Sequence, residues 1–122
     1  MKRAESLEDY LKAIYTLSLN KKTVRAIDVA KYFSYSRPTV SVALKQFRDG
    51  GYLTVDDYAI HLTEKGMEIA LSVLERHEVL EQILMKLGVD KDTAHNDAHL
   101  LEHDLSDKSF EAVRKAAKKM MK

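Results

Sequence analysis

The chain has 122 residues, of which 45% are hydrophobic and 32% charged, and its formal net charge is +1. This composition predicts a globular protein of one domain, or one compact domain with an extension, and the small net charge does not by itself indicate a nucleic-acid partner. The lack of cysteine excludes a disulfide framework and a thiolate metal site. No apolar run reaches the roughly 20 residues of a transmembrane helix, and the N-terminus lacks the apolar core of a signal peptide. We therefore expect a cytoplasmic protein with no membrane partner.

The charge is unevenly distributed along the chain. Residues 1–66 contain 11 Lys and Arg against 8 Asp and Glu, a net of +3, whereas residues 67–122 contain 9 against 11, a net of −2. One proline and four glycines leave few strong helix breakers, so long helices are favoured. A mildly basic half followed by an acidic, histidine-rich half suggests two separate tasks.

The first stretch of the chain predicts two helices joined by a turn at residues 20–22. Apolar residues at helical spacing place the first helix over residues 6–19, with Ser6 as its N-cap. The second helix is short and covers residues 25–33. Its inward-facing residues are predicted to be Ile27, Val29, Ala30 and Phe33.

A third helix is predicted after a break at residues 34–36. Ser36 caps it, Pro38 lies in its first turn, where a missing N–H costs nothing, and Gly50-Gly51 ends it. A short helix, a tight turn and a longer helix are typical of a helix-turn-helix, whose second helix enters the major groove of DNA. The candidate DNA-binding residues are Arg25, Ser36, Arg37, Pro38, Thr39, Ser41 and Lys45.

Two short β-like runs, at residues 52–55 and 59–62, follow the third helix and flank Asp56-Asp57-Tyr58. A hairpin directly after a recognition helix is a wing, whereas the alternative, an ordinary pair of helices in a bundle, does not require one. We therefore predict a winged helix-turn-helix DNA-binding domain over residues 1–63.

A long helix is predicted from residue 63 to about residue 87, where Gly88 ends it. This helix carries His77 and Glu81, which are four residues apart and therefore lie one turn apart on the same face. Asp90 or Asp92 is expected to cap the helix that follows.

The stretch HNDAHLLEHD at residues 95–104 is the strongest chemical signal in the chain. Its three histidines stand at intervals of four, which places them on one face of a helix: His95, His99 and His103. Glu102 lies beside the last of them, and Leu100 and Leu101 are expected to face the core. Imidazole and carboxylate ligands suit first-row divalent metals, so this pattern predicts a metal site.

Ser106 is predicted to cap a last helix, whose apolar side carries Phe110, Val113, Ala116, Ala117 and Met120. The helices after the long connector have too little surrounding chain to bury both of their faces. We therefore expect a homodimer through residues 85–122, since helix-turn-helix proteins commonly dimerise to read two half-sites.

Five segments carry a resemblance that covers nearly the whole chain: LEDYLKAIYTL, SRPTVSVALKQFRDGGYL, LTEKG, RHEVLEQIL and NDAHLLEHDLS. In their order and spacing, the chain resembles the diphtheria-toxin-repressor and manganese-transport-regulator family, in the short form without an SH3-like domain. The resemblance implies a mainly α protein, with a winged helix-turn-helix followed by a helical metal-binding and dimerisation domain over residues 64–122. It also implies a repressor that binds double-stranded operator DNA as a homodimer when loaded with a divalent metal, and thereby controls metal homeostasis.

The resemblance further implies two sets of metal ligands. The primary site falls on Asp9, His99, Glu102 and His103, and a second site falls on His77, Glu81 and His95. Iron-type members have Cys at the His99 position and manganese-type members have Glu, so this chain differs from both. Lys12 stands where manganese-type members have a second carboxylate, and a protonated lysine cannot bind a metal cation. We expect Fe(II) or Mn(II), with Zn(II) or Co(II) as further possibilities.

Two alternative functions are an enzyme, such as a small metal hydrolase, and a DNA-binding regulator that does not depend on metal. A small metal hydrolase would need an open metal position and a nearby acid or base, and the chain has no HExxH motif. A metal-independent winged-helix regulator would have incidental histidines or would sense an organic ligand instead. We expect no enzymatic activity and favour the metal-dependent regulator.

Overall fold

The computed structural model describes residues 3–121, with side-chain contacts from Ser6 onward, so residues 1, 2 and 122 of the predicted domain ranges lie outside it. The elements within these bounds are helices α1 (Arg3–Ser18), α2 (Ala26–Phe33) and α3 (Arg37–Asp49), strands β1 (Leu53–Asp56) and β2 (Ala59–Leu62), and helices α4 (Glu64–Lys86), α5 (Lys91–Leu101) and α6 (Asp107–Met120). The predicted mainly α fold with a two-stranded wing is therefore confirmed. None of the helices in residues 3–121 has the length and apolar character needed to cross a membrane.

Contacts between Cα atoms divide the chain into two compact units, one up to Leu71 and the other from Ser72 onward. The first unit holds the three N-terminal helices, the wing and the start of α4. The second holds the rest of α4 together with α5 and α6.

Helix α1 begins earlier than the sequence predicts. It starts at Arg3, so Ser6 lies inside the helix and the prediction that Ser6 caps it is wrong. The residues before Ser6 are Arg, Ala and Glu, which all have high helix propensity and let the helix extend past the serine. The helix also stops at Ser18, and Leu19 lies beyond it with 63% of its surface exposed.

Local capping interactions set the ends of the two helices in the helix-turn-helix. The backbone N–H of Arg25, which caps α2, donates a 2.9 Å hydrogen bond to the Asp28 carboxylate. Ser34 ends α2 in the left-handed conformation with a φ of 60°. Ser36 then caps α3, because its hydroxyl accepts a 3.3 Å hydrogen bond from the N–H of Thr39.

The wing is an antiparallel hairpin in which Leu53 pairs with Leu62 and Asp56 pairs with Ala59. Its two-residue loop consists of Asp57 and Tyr58, which both have positive φ angles, of 51° and 66°. This geometry matches the right-handed twist of the two strands, and aspartate is among the residues that tolerate it best.

Two further contacts fix the wing within the first unit. The N–H of Ile60 donates to the carbonyl of Val24, at 2.8 Å, and joins β2 to the segment before α2. The Thr63 hydroxyl donates to the carbonyl of Gly51 at 2.7 Å and accepts from the N–H of Gly66 at 3.2 Å, so it also caps α4. A Cβ atom at Gly66 would lie 2.0 Å from the backbone oxygen of Tyr52, so this close approach requires glycine.

The first unit has one apolar core to which every one of its main elements contributes. Its buried members are Tyr10, Ile14, Val24, Val29, Ala30, Val40, Leu44, Phe47, Leu53 and Ile60. Full burial of an aliphatic or aromatic side chain contributes about 1.5–3 kcal/mol, so this cluster holds α3 and the wing in place. Ile27, which the helical pattern predicts to face inward, is instead 39% exposed, and the buried residues of α2 are Val29 and Ala30.

In the second unit, local signals again set the ends of the helices. Gly88 adopts a φ of 103° after α4, and Asp90, rather than Asp92, caps α5 by accepting a 3.0 Å hydrogen bond from the N–H of Thr93. Ser106 caps α6 through the N–H of Ser109, at 3.1 Å. These ends confirm the predicted glycine stop and the predicted cap of α6.

The buried face of α5 is not the predicted one. Ala94 and Ala98 are fully buried, whereas Leu100 and Leu101 are 61% and 38% exposed. The expectation that the two leucines face the core is therefore wrong. Small residues on the inner face let α5 pack closely, and the larger apolar side chains remain on the surface of the single chain.

Candidate metal centre and nucleic-acid interface

The predicted DNA-binding residues all lie at the surface of the first unit. Val40, Leu44 and Phe47 form the buried side of α3, and every predicted contact residue is exposed: Arg25, Ser36, Arg37, Pro38, Thr39, Ser41 and Lys45. The Ser36 hydroxyl lies 2.8 Å from that of Thr39 in addition to capping the helix, so it is already engaged within the protein. The arrangement therefore leaves Arg37 as the long, charged side chain in the first turn of α3.

Val42 and Tyr58 are among the exposed side chains of this unit that lie outside the predicted contact set. Val42 on α3 is 60% exposed and adds a methyl-bearing surface to the otherwise polar face of the helix. Tyr58 at the tip of the wing is 79% exposed. The sequence signal for Tyr58 is an aromatic residue within a two-residue hairpin loop, where its side chain cannot be buried.

The histidine and carboxylate of α4 meet the first histidine of α5. His77 Nε2 lies 2.9 Å from Glu81 Oε2 and 3.2 Å from His95 Nδ1, and His95 Nδ1 lies 3.3 Å from the same Glu81 oxygen. One ligand atom from each of these three residues lies within 4.8 Å of the others. The structure thus brings together the predicted second set of metal ligands.

The electrostatics of Glu81 suit a metal ligand. Burial would raise the pKa of Glu81, but the hydrogen bond from His95 and the nearby His77 outweigh burial and lower this pKa below its ordinary value. The carboxylate is therefore ionised at neutral pH and available to a cation.

The same unit contains another cluster, which consists of the predicted primary ligands other than Asp9: His99, Glu102 and His103. Glu102 Oε1 lies 2.9 Å from His99 Nδ1 and 3.9 Å from His103 Nε2. The rings of His99 and His103 meet edge to face, with their centroids 5.6 Å apart. Glu102 is only 1% exposed, and a buried carboxylate is stable only where cations or hydrogen-bond donors compensate its charge.

Glu102 also connects the two clusters, since the same Oε1 atom lies 3.7 Å from His77 Nδ1. One buried carboxylate oxygen therefore has an imidazole nitrogen from His77, His99 and His103 within 4 Å. Imidazoles and carboxylates at these distances fit a first-row divalent cation, which is bound by nitrogen and oxygen ligands about 2.0–2.2 Å away.

The prediction that all three histidines lie on one helix needs correction. Helix α5 ends at Leu101, so Glu102 is its C-cap and His103 lies in the turn that follows. Glu102 keeps right-handed helical dihedral angles, and its N–H donates to the carbonyl of Ala98 at 2.9 Å. Because the backbone continues one residue in helical form, the spacing of His99 and Glu102 still places both side chains together.

Asp9 and Lys12, the other residues of the predicted primary site and its surroundings, lie on α1 in the first compact unit. Both are half-buried.

Arg76 is not among the predicted site residues. It precedes His77 and contacts the segment after α5. Its only sequence signal was its position beside a candidate ligand.

The chain matches two family profiles that together cover almost its whole length. Residues 3–60 match the profile described as "Iron dependent repressor, N-terminal DNA binding domain". Residues 63–122 match "Iron dependent repressor, metal binding and dimerisation domain". The order of these two profiles is the order of the helix-turn-helix and the histidine clusters along the chain.

Named relatives agree with these profiles. The chain is 35% identical to the HTH-type transcriptional regulator MntR of Lysinibacillus sphaericus over 109 residues, which are 88% of this chain and 78% of that protein. Among solved structures, it matches the manganese regulator SloR with 33% identity and a TM-score of 0.80 over 92% of this chain. It also matches a manganese-dependent transcriptional repressor in complex with manganese, with 30% identity and a TM-score of 0.82 over 92% of this chain.

The chain spans about half the length of these two solved structures, 53% and 52% respectively. The similarity nevertheless includes both the DNA-binding and the metal-binding profile. The predicted family is therefore confirmed. The chain belongs to the diphtheria-toxin-repressor and manganese-transport-regulator family of metal-dependent transcriptional regulators, which are DNA-binding proteins and not enzymes.

Proposed function

We propose that this protein represses transcription when a divalent metal binds to it, and that it binds double-stranded operator DNA as a homodimer in the cytoplasm. Residues 1–63 are the DNA-binding domain in this proposal, and residues 64–122 bind metal and form the dimer. The observation that carries the proposal is the pair of imidazole and carboxylate clusters in the second unit, which Glu102 connects. Control of metal homeostasis is the task that such a metal-sensing repressor serves.

The metal is proposed to occupy two sites. The primary site consists of Asp9, His99, Glu102 and His103, and the second of His77, Glu81 and His95. The short distances within each cluster of the second unit support these assignments, and the resemblance of the chain to the family supports the inclusion of Asp9. We propose Mn(II) or Fe(II) as the physiological ion. The names of the relatives favour Mn(II), whereas His99 adds an imidazole that also suits Fe(II), Zn(II) or Co(II).

Metal binding is proposed to control DNA binding through Asp9. This aspartate belongs to α1, the helix that contributes Tyr10 and Ile14 to the core beneath α3, whereas the other primary ligands belong to the second unit. A metal bound by both sets of ligands would stabilise one arrangement of the DNA-binding domain relative to the dimer. Such a switch requires the metal to bind the DNA-competent arrangement more tightly than the others.

A direct test compares DNA binding with and without metal. Double-stranded DNA selected from a randomised library in the presence of Mn(II) is used in gel-shift assays with Mn(II) and with an excess of chelator. We expect a shift with Mn(II) that the chelator abolishes. Equal binding under both conditions would support the metal-independent regulator instead. If the protein bound Mn(II) but the library yielded no bound DNA, the hydrolase alternative would be favoured.

Arg37→Ala is expected to weaken binding to the selected DNA while metal affinity stays unchanged. Arg37 is exposed in the first turn of α3, where side chains reach the groove, and loss of one guanine or phosphate contact costs roughly 1–3 kcal/mol. DNA titrations at saturating Mn(II) measure the effect. Arg48→Ala, at the exposed last turn of the same helix, is the matched control and should change affinity less. Equal effects of the two variants would contradict this placement of α3.

The proposed dimer surface lies within residues 85–122. The family profile over this part of the chain includes dimerisation, and several large apolar side chains there are exposed in the single chain: Met85, Leu87, Leu100, Leu101 and Met121. Burying such side chains against a second copy would remove them from water, whereas a monomer would leave them exposed.

Leu87→Ser combined with Leu100→Ser is expected to weaken the dimer by roughly tenfold or more, since burial of a leucine contributes about 1.5–3 kcal/mol. Sedimentation equilibrium measures the dimer dissociation constant. Leu19→Ser is the matched control, because Leu19 is 63% exposed but lies in the first unit, outside the proposed surface. A dimer constant unchanged in the double variant would place the interface elsewhere.

A further inference from the structure

We propose that Arg76 is a positioning residue for the metal ligands Glu102 and His103, through the segment that joins α5 to α6. This inference rests on the proposed metal-binding function of that cluster. Arg76 lies on α4 directly before His77, and its side chain is only 12% exposed. A largely buried guanidinium on the same helix as two candidate ligands therefore needs a structural explanation.

The contacts of Arg76 converge on the junction between α5 and α6. Its Nη1 donates a 2.6 Å hydrogen bond to the backbone carbonyl of Leu105, and its Nη2 forms an ion pair with Asp107. The guanidinium carbon also lies 5.0 Å from the ring centroid of Phe110, which is buried in α6. The planar guanidinium can make these three contacts simultaneously, which a lysine ammonium cannot do.

The position of Leu105 explains why these contacts matter for the metal site. Leu105 follows His103 by two residues and Glu102 by three, and both ligands lie outside helix α5. Backbone bonds from the N–H groups of Asp104 and Leu105 to the carbonyl of Leu101, at 3.1 and 3.3 Å, form the turn itself. Arg76 ties this turn to α4, the helix that carries His77, and so holds Glu102 and His103 at a defined distance from His77.

Outer contacts that orient metal ligands commonly change metal affinity by about 10- to 100-fold when they are removed. We expect Arg76→Ala to lower Mn(II) affinity at the His99, Glu102 and His103 cluster by about tenfold or more. The affinity is measured by titration with Mn(II), with free ion detected by electron paramagnetic resonance, in a His95→Ala background that removes a ligand of the second site only. Arg114→Ala is the matched control, because Arg114 pairs with Glu111 one turn away on the same helix, α6.

A measurement without metal separates this inference from the proposed function. In the metal-free protein, Arg76→Ala should accelerate amide hydrogen exchange at Asp104 and Leu105, while the amide of Ala94 near the start of α5 should not change. If the parent protein bound no Mn(II), the proposed function would fail, and unchanged exchange at Asp104 and Leu105 would overturn the role of Arg76. Faster exchange with unchanged Mn(II) affinity would also overturn it.

Arg76→Lys provides a second test of the proposal if the alanine variant does not fold. Lysine retains the positive charge but cannot replace the forked contacts and the stacking on Phe110. We expect an Mn(II) affinity between those of the parent and Arg76→Ala, about threefold below the parent. An affinity equal to that of the parent, with equal exchange at Asp104 and Leu105, would overturn the proposal.

Discussion

Glu102→Gln is expected to lower Mn(II) affinity at the primary site by at least about tenfold and to reduce affinity at the second site by a smaller factor. The amide has nearly the same shape as the carboxylate but carries no charge, so it is a poor ligand for a hard cation. Glu102 Oε1 lies close to His99 Nδ1, at 2.9 Å, and to His77 Nδ1, at 3.7 Å, so its charge acts on both clusters. The longer distance to His77 explains why the second site should lose less.

Competition titrations with a chelator of known Mn(II) affinity measure both sites. Glu78→Gln is the matched control, because Glu78 is an exposed glutamate on α4 that follows His77 directly. A second measurement uses thermal unfolding, since a ligand that binds the native state at 100 times its dissociation constant stabilises it by about 2.7 kcal/mol. The stabilisation by Mn(II) should shrink in Glu102→Gln and persist in Glu78→Gln. Identical Mn(II) affinities in Glu102→Gln and the parent would refute the proposed primary site.

Asp9→Ala is expected to abolish most of the metal-dependent gain in DNA affinity even when the protein is saturated with Mn(II). His99, Glu102 and His103 remain as ligands in this variant, and they can still bind a metal, although more weakly. What they cannot do alone is link the metal to α1. Since the dimer surface is proposed to lie within residues 85–122, the dimer should persist. The loss in DNA affinity should therefore exceed the loss that weaker metal binding alone would cause.

DNA titrations at increasing Mn(II) concentrations distinguish these two effects, because weak metal binding is overcome by more metal and lost coupling is not. Glu8→Ala is the matched control, since Glu8 is a half-buried carboxylate one residue away on α1 and faces a different direction. Sedimentation equilibrium verifies that the dimer is intact. If saturated Asp9→Ala bound DNA as tightly as the parent, Asp9 would not couple metal binding to DNA binding.

Features that depend on short-range chemistry can be predicted from the sequence alone. Ser36 and Ser106 begin helices because their hydroxyls accept hydrogen bonds from nearby backbone N–H groups, and Gly51 follows α3 with a positive φ of 84° that glycine adopts readily. These interactions need no distant partner. The wing is predicted from two β-prone runs that flank Asp56-Asp57-Tyr58, and the structure adds Asp56 to the first strand and closes the loop with Asp57 and Tyr58. The i, i+4 spacing of His77 and Glu81 likewise places two ligands side by side on any helix.

Which helix faces are buried and which distant residues meet depend on tertiary packing. Helical periodicity cannot distinguish a core face from a surface intended for a second molecule, so it misassigned Leu100 and Leu101 while the smaller Ala94 and Ala98 were packed inside. The sequence also could not show that Glu102 lies within 4 Å of His77, 25 positions earlier, or that Arg76 contacts Leu105. These contacts depend on how α4 packs against the junction of α5 and α6, and that packing results from the burial of many side chains together, which no local pattern encodes.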